Sequence, residues 1–210
     1  NEDLFIMSIS MQNHGGYTEK YDNFDEKVSL LGLNYPDVNQ YLSLVHESDS
    51  ALEYLISYFQ NVEDPVEIVF FGDHQPSLSS SFYPNLNGKG LSGLTEDELE
   101  DLYTIPFFIW TNYESTEVEL PITSINYLST LALERAGIEL PAYNQFLADM
   151  METIPAINSR GYYSKSAGGF LHIEEATGEE ADWIRNYNIL QYNNMFDKKE
   201  KSEVFFPYLK

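Results

Sequence analysis

Residues 68–78 read IVFFGDHQPSL, a β-prone apolar run that stops at Gly72 and is followed at once by Asp73 and His74. Short runs of Val, Ile and Phe bounded by Gly and Pro predict strands, here over Glu67–Phe71. In open α/β sheets the loops beyond the carboxyl ends of the strands converge on one crevice, so a carboxylate and an imidazole at that end stand where ligands bind. Gly72 permits a tight turn close to the sheet. An oxygen donor beside a nitrogen donor suits a hard or borderline divalent ion such as Mn2+, Mg2+ or Zn2+. An isolated Asp-His pair is also what a capped turn followed by a polar loop residue looks like.

A second stretch repeats the arrangement. Residues 8–17 read SISMQNHGGY, which places Asn13 and His14 after an expected strand over Leu4–Ile9 and before paired glycines. Between the two strands, Tyr41, Leu44, Val45, Leu52, Leu55, Ile56 and Phe59 recur at three- and four-residue steps, predicting an amphipathic helix over Tyr35–Asn61 with Pro36 in its first turn. Strand, long helix and strand in that order form a parallel crossover unit of an α/β domain. Two parallel strands would then deliver His14, Asp73 and His74 to one sheet edge. A further strand is expected over Ile105–Trp110.

Beyond these, Ser124–Gly137 carries a serine at its head and a glycine at its tail, the cap signals of a helix. The run LPAYNQFLADMMETIP predicts another helix stopped at Pro155, and residues 156–173 read as loop with short strands. GEEADWIRNYNILQYNNMF predicts a late helix whose first-turn acids suit the positive end of the dipole. The expected division is a main portion over residues 1–155 and a C-terminal extension over 156–210 packing on it.

The chain holds 34 Asp and Glu against 11 Lys and Arg, a formal charge of −23 that repels phosphate backbones and excludes nucleic acid as a partner class. Its 210 residues, 43% of them hydrophobic, can fill a sizeable core. It has no cysteine, which removes disulfides, thiolate zinc sites and cysteine nucleophiles. No apolar run approaches the roughly 18 residues of a membrane span, so the chain is expected to be soluble. The N-terminal LFIMSIS begins strand-like with no lead-in, an expectation of truncation. His46 reads as a helix-surface residue, His172 as a loop residue, and Trp110 and Trp183 as packing anchors. The acidic run TEDELED lacks the ligand spacing of a calcium loop and reads as a solvated helix start.

Together, MQNHGGY, FFGDHQPSL, YTIPFFIWTNY and ILQYNNMF resemble the carboxyl-terminal half of the lipoteichoic acid synthase group, membrane-anchored phosphoglycerol transferases of the sulfatase and alkaline-phosphatase superfamily. The resemblance covers nearly the whole chain. It implies a portion of an alkaline-phosphatase-like α/β sandwich, mostly parallel sheet flanked by helices, with a C-terminal α+β extension. It also implies an enzyme on the extracellular face of the membrane that moves glycerol phosphate from phosphatidylglycerol to a cell-envelope polymer through a threonine intermediate. Asp73 and His74 are implied as ligands of Mn2+ or Mg2+, and His14 as the residue that hydrogen-bonds the substrate phosphate.

By the same resemblance the nucleophilic threonine, the other metal-binding acid and the glycerol-gripping residues lie upstream. Thr18, Thr104, Thr111 and Thr123 read as ordinary loop or strand threonines. The metal site is therefore expected to be incomplete in this chain, the chain alone inactive, and its missing partner the N-terminal half of its own domain. An exposed sheet edge could favour self-association. Another sulfatase-fold phosphodiesterase or sulfatase, or an acidic non-catalytic binding module, are the alternatives.

Overall fold

The computed structural model describes residues 4–19, 21–197 and 199–207. The chain divides into two compact units, residues 1–66 with 70–108 and residues 67–69 with 109–210.

The first unit is organised by helix α1 (Pro36–Phe59), which opens with Pro36 in its first turn. Proline is tolerated there because the missing N–H has no intrahelical acceptor. Strand β1 (Glu67–Phe71) follows, then short helices α2 (Tyr83–Asn87) and α3 (Glu96–Leu102), then strand β2 (Phe107–Thr111). The acidic run becomes α3. Thr95 caps it through a reciprocal box in which the Glu98 amide donates to Thr95 Oγ1 and the Thr95 amide to Glu98 Oε2. Strands β1 and β2 pair, and the division between units passes through both. Phe70 stacks on Phe108 at 5.3 Å between centroids. Just past β1, the Gly72 amide donates to the Pro106 carbonyl at 3.0 Å.

Two expectations are corrected in this unit. Leu4–Ile9 forms no strand, and its side chains are 66–89% exposed at Leu4, Phe5, Ile6, Met7 and Ile9. A strand exists only where a neighbour satisfies its amides and carbonyls, and β1 and β2 pair with each other, not with this segment. Helix α1 forms where its periodicity predicts but buries its apolar stripe only in part, with Tyr41, Leu44, Leu52, Ile56 and Phe59 half-buried. Its buried residues are Asp37, Val38, Gln40 and Ser43, while Val45 and Leu55 stay exposed. The polar side chains are buried because each that is bonded satisfies a passing backbone. Ser43 Oγ accepts from the Lys27 and Val28 amides, both at 3.0 Å, and Asn39 Oδ1 accepts from the Leu30 amide at 2.9 Å.

The second unit continues through a 3-10 turn at Ile125–Tyr127 into helix α4 (Leu128–Arg135). Gly137 follows with φ +68°, a left-handed backbone that ends the helix as its position in the sequence predicts. Helix α5 (Ala142–Thr153), an antiparallel hairpin of β3 (Gly161–Ser164) and β4 (Gly169–His172), and helix α6 (Gly178–Met195) complete it. Residues on both sides of Pro155 share one apolar core: Leu147, Met150 and Ile154 lie with Tyr127, Tyr162 and Ile184. The Tyr127 hydroxyl donates to the Ile154 carbonyl at 2.6 Å, which satisfies a polar atom at the centre of that core.

Candidate functional site

Asp73 and His74 occupy the turn that leaves β1, and both point into solvent. Their side chains are 80% and 67% exposed, with His74 Nε2 3.6 Å from Asp73 Oδ2. The turn is ordered by local hydrogen bonds. The His74 amide donates to Asp73 Oδ1 at 2.9 Å, and His74 Nδ1 lies 2.9 Å from the Gln75 carbonyl oxygen. Because a carbonyl only accepts, a hydrogen bond there takes the proton of Nδ1, and Nε2 is the ring nitrogen that faces Asp73. The Gln75 side chain donates to the Thr104 carbonyl, tying the turn to the segment that enters β2.

Neither backbone nor space requires glycine at Gly72: its φ is not positive, and a Cβ there would meet Ile105 Cβ at 3.4 Å and Pro106 Cδ at 3.7 Å, ordinary van der Waals contacts.

The loop that follows His74 is fastened to the start of α1. Asp37 accepts from the Ser79 amide at 2.8 Å, and the Tyr35 hydroxyl donates to the Ser81 carbonyl at 2.8 Å. Burial alone would raise the Asp37 carboxyl, yet hydrogen bonds from Ser79 and from the helix amides hold it below the usual carboxylate range.

His14 lies in an exposed turn closed by its amide donating to the Met11 carbonyl at 3.1 Å. The flanks of the turn are held more firmly than His14 itself. Ser48 of α1 donates to Asn13 Oδ1 at 3.0 Å, and the Tyr17 hydroxyl donates to the Asn13 carbonyl at 2.7 Å. Tyr17 is 5% exposed and packs edge-on against Tyr41 at 5.5 Å. Burial chiefly, then Tyr41 and then the charge of Asp73, push the Tyr17 hydroxyl above its ordinary range. The field of Asp73 therefore reaches the residue that anchors the His14 turn.

Asp73 and His74 offer one oxygen and one nitrogen donor to a cation. Among the described residues, no group of three or more His, Cys, Asp or Glu side chains is placed to hold a metal. The pair fits a divalent ion as part of a ligand set. His46 lies exposed on α1, and His172 closes β4, where its amide donates to Glu175 Oε2 at 2.8 Å. Of the threonines, Thr104 donates its hydroxyl to the Glu100 carbonyl and Thr111 to the Tyr113 carbonyl. No helix among the described residues is long and apolar enough to cross a membrane.

The sequence singled out Asp73 and His74 after β1 and His14 after a segment that forms no strand, and it did not single out Gln75, Ser48 and Tyr17, whose side chains orient the two turns. The glutamine directly after the Asp-His pair was the one local signal available for the first of these. The other two act across the fold and leave no pattern in spacing.

The family model described as Sulfatase matches residues 1–138. Over 220 residues the chain is 23% identical to a Rhizobium meliloti (strain 1021) protein described as "Putative cyclic beta-1,2-glucan modification protein", covering 97% of this chain and 33% of that protein. It is 34% identical over 79 residues to the capsular polysaccharide biosynthesis protein RkpI of the same organism, covering 38% of this chain and 13% of that protein. A solved structure of Streptococcus pyogenes phosphoglycerol transferase GacH in complex with sn-glycerol-1-phosphate superposes with a TM-score of 0.60 at 18% identity, over 88% of this chain and 42% of that one. At that identity the likeness is one of fold alone. The chain spans about a third of the first relative's length and 42% of the GacH chain.

Proposed function

Since the chain belongs to the sulfatase family, we propose that it forms the part of a phosphoglycerol transferase that carries two of the metal ligands and a phosphate donor. The enzyme in this reading moves glycerol phosphate from a phosphatidylglycerol-type lipid to a cell-envelope polymer on the extracellular face of the membrane. The observation that carries the proposal is the placement of Asp73 and His74 side by side in the turn that leaves β1, both side chains exposed, with His74 Nε2 3.6 Å from Asp73 Oδ2.

Asp73 and His74 would hold Mn2+ or Mg2+ together with ligands from outside residues 1–210. When bound, such a cation lowers the pKa of an attacking hydroxyl and offsets charge on the phosphoryl oxygens. Asp73 contributes a negative charge and His74 a neutral donor, and the high exposure of both side chains leaves room for the remaining ligands. His14 would donate an imidazole N–H to a phosphoryl oxygen as charge develops there. The threonine that attacks phosphorus belongs, in this reading, to the rest of the enzyme, as does the surface that covers Leu4–Met11. Residues 1–210 alone would therefore not turn over.

GacH is described as a phosphoglycerol transferase, and both curated relatives are described by their connection to glucans or polysaccharides, which supports a glycan as the receiving polymer. The test is diacylglycerol release from phosphatidylglycerol vesicles by the full-length enzyme with Mn2+. Asp73→Ala and His74→Ala should each remove nearly all turnover, and His14→Ala should lower it about 10²- to 10³-fold, as loss of one transition-state donor does. Wild-type rates in the Asp73→Ala enzyme would overturn the reading.

A further inference from the structure

We propose that Asn13, gripped by Ser48 of α1 and by the Tyr17 hydroxyl, is a positioning residue that holds the His14 turn beside the Asp73 and His74 turn. This rests on the phosphate-binding role given to His14 above.

Residues 4–16 have no regular secondary structure and bury almost nothing. The apolar side chains before Asn13 are exposed, and His14, Gly15 and Gly16 are exposed too. Such a segment has little packing to fix its course, so its orientation depends on discrete polar contacts. Asn13 makes two of them, one through each of its oxygens. Ser48 donates to the side-chain oxygen across 35 positions of sequence, and Tyr17 donates to the backbone oxygen. The Ser48 bond joins the turn to a helix, and the Tyr17 bond joins it to a buried ring.

The helix is what relates this turn to the other one. Asp37 holds the loop after His74 from one end of α1, and Ser48 holds Asn13 eleven residues further along. At 1.5 Å per residue the two anchor points lie about 16 Å apart along one stiff rod. Ser43 and Asn39 pin residues 27, 28 and 30 between them. Asp37 and Ser48, eleven residues apart and so on one side of α1, thus set two separate turns against a single reference.

One hydrogen bond of ordinary strength changes a conformational population roughly two- to tenfold. In the full-length enzyme assayed on phosphatidylglycerol vesicles with Mn2+, Ser48→Ala should lower kcat/KM by that factor. The Mn2+ concentration giving half-maximal activity should not move, because Asp73 and His74 are untouched. Ser48→Thr keeps the hydroxyl and should restore kcat/KM. Tyr17→Phe, which removes the other bond to Asn13, should lower kcat/KM in the same way. In a His14→Ala background, Ser48→Ala should add no further loss, since the serine acts only through that histidine. The proposal is overturned if Ser48→Ala lowers the melting temperature but not kcat/KM, if it shifts the Mn2+ requirement, or if its loss is undiminished without His14. A normal kcat/KM in His14→Ala itself would sink the phosphate-donor reading. An impaired His14→Ala enzyme with silent Ser48→Ala and Tyr17→Phe would sink the positioning role alone.

Discussion

His74 Nδ1 lies 2.9 Å from the carbonyl oxygen of Gln75, the residue that follows it, so the imidazole is oriented by its own turn and not by the core. Asp73 is likewise held only locally, accepting from the His74 amide. Both side chains project into solvent, and neither supports the packing of β1. Asp73→Ala and His74→Ala should therefore change folding stability by no more than about 0.5 kcal/mol, the range of exposed sites away from special backbone features. Thermal denaturation monitored by circular dichroism checks this. A loss of several degrees in either variant would assign the pair a structural role.

Glu180 of α6 is the converse case. It accepts from Tyr162 Oη at 2.9 Å, from Ser164 Oγ at 2.6 Å and from Ser166 Oγ at 3.2 Å. Tyr162 and Ser164 are both 0% exposed. Glu180→Ala would strand buried hydroxyls at the junction of the β3–β4 hairpin and α6, at a cost of about 1–3 kcal/mol. Glu180→Gln retains one acceptor oxygen and should cost less. Urea denaturation separates the two variants, and a Glu180→Ala protein as stable as wild type would contradict the assignment.

Burial lifts the hydroxyls of Tyr127 and Tyr162 in the second unit. Tyr162 is pushed up to about 12, with the Glu180 hydrogen bond adding to the effect of burial, and burial raises Tyr127 as well. An unfolded tyrosine ionises near 10. Below that pH both states keep the proton and these groups leave stability unchanged. Above it the unfolded chain releases protons that the folded chain retains, so stability falls by about 1.4 kcal/mol per pH unit for each such tyrosine. The fall should run from pH 10 towards 12. Tyrosinate absorbance and circular dichroism, followed together, should show late ionisation coincident with unfolding. Titration of all 16 tyrosines near pH 10 in a folded chain would contradict it.

Elements with strong local signals were legible in the sequence. The apolar run ending at Gly72 gave β1 with both ends right; Pro36 marked a helix start because the first turn needs no amide donor, and Gly137 a helix end because φ +68° is a backbone state few other residues tolerate. Leu4–Ile9 failed because strand propensity does not supply a pairing partner. The fully buried polar residues of α1 were not legible for a related reason. Periodicity ranks side chains by hydropathy, whereas Asp37 and Ser43 are buried by the amides they satisfy. At the candidate site, residue type pointed to Asp73 and His74. The contacts that orient the turns join residues 29 and 35 positions apart, Gln75 with Thr104 and Ser48 with Asn13, and only the folded chain brings them together.

The central claim is that Asp73 and His74 hold a divalent cation, and anomalous diffraction from crystals of the full-length enzyme grown with Mn2+ tests it most directly. The account predicts a manganese peak about 2.0–2.3 Å from an Asp73 carboxylate oxygen and from His74 Nε2, with Nδ1 still on the Gln75 carbonyl. A manganese peak that neither side chain touches, or one bound through Nδ1, would contradict it.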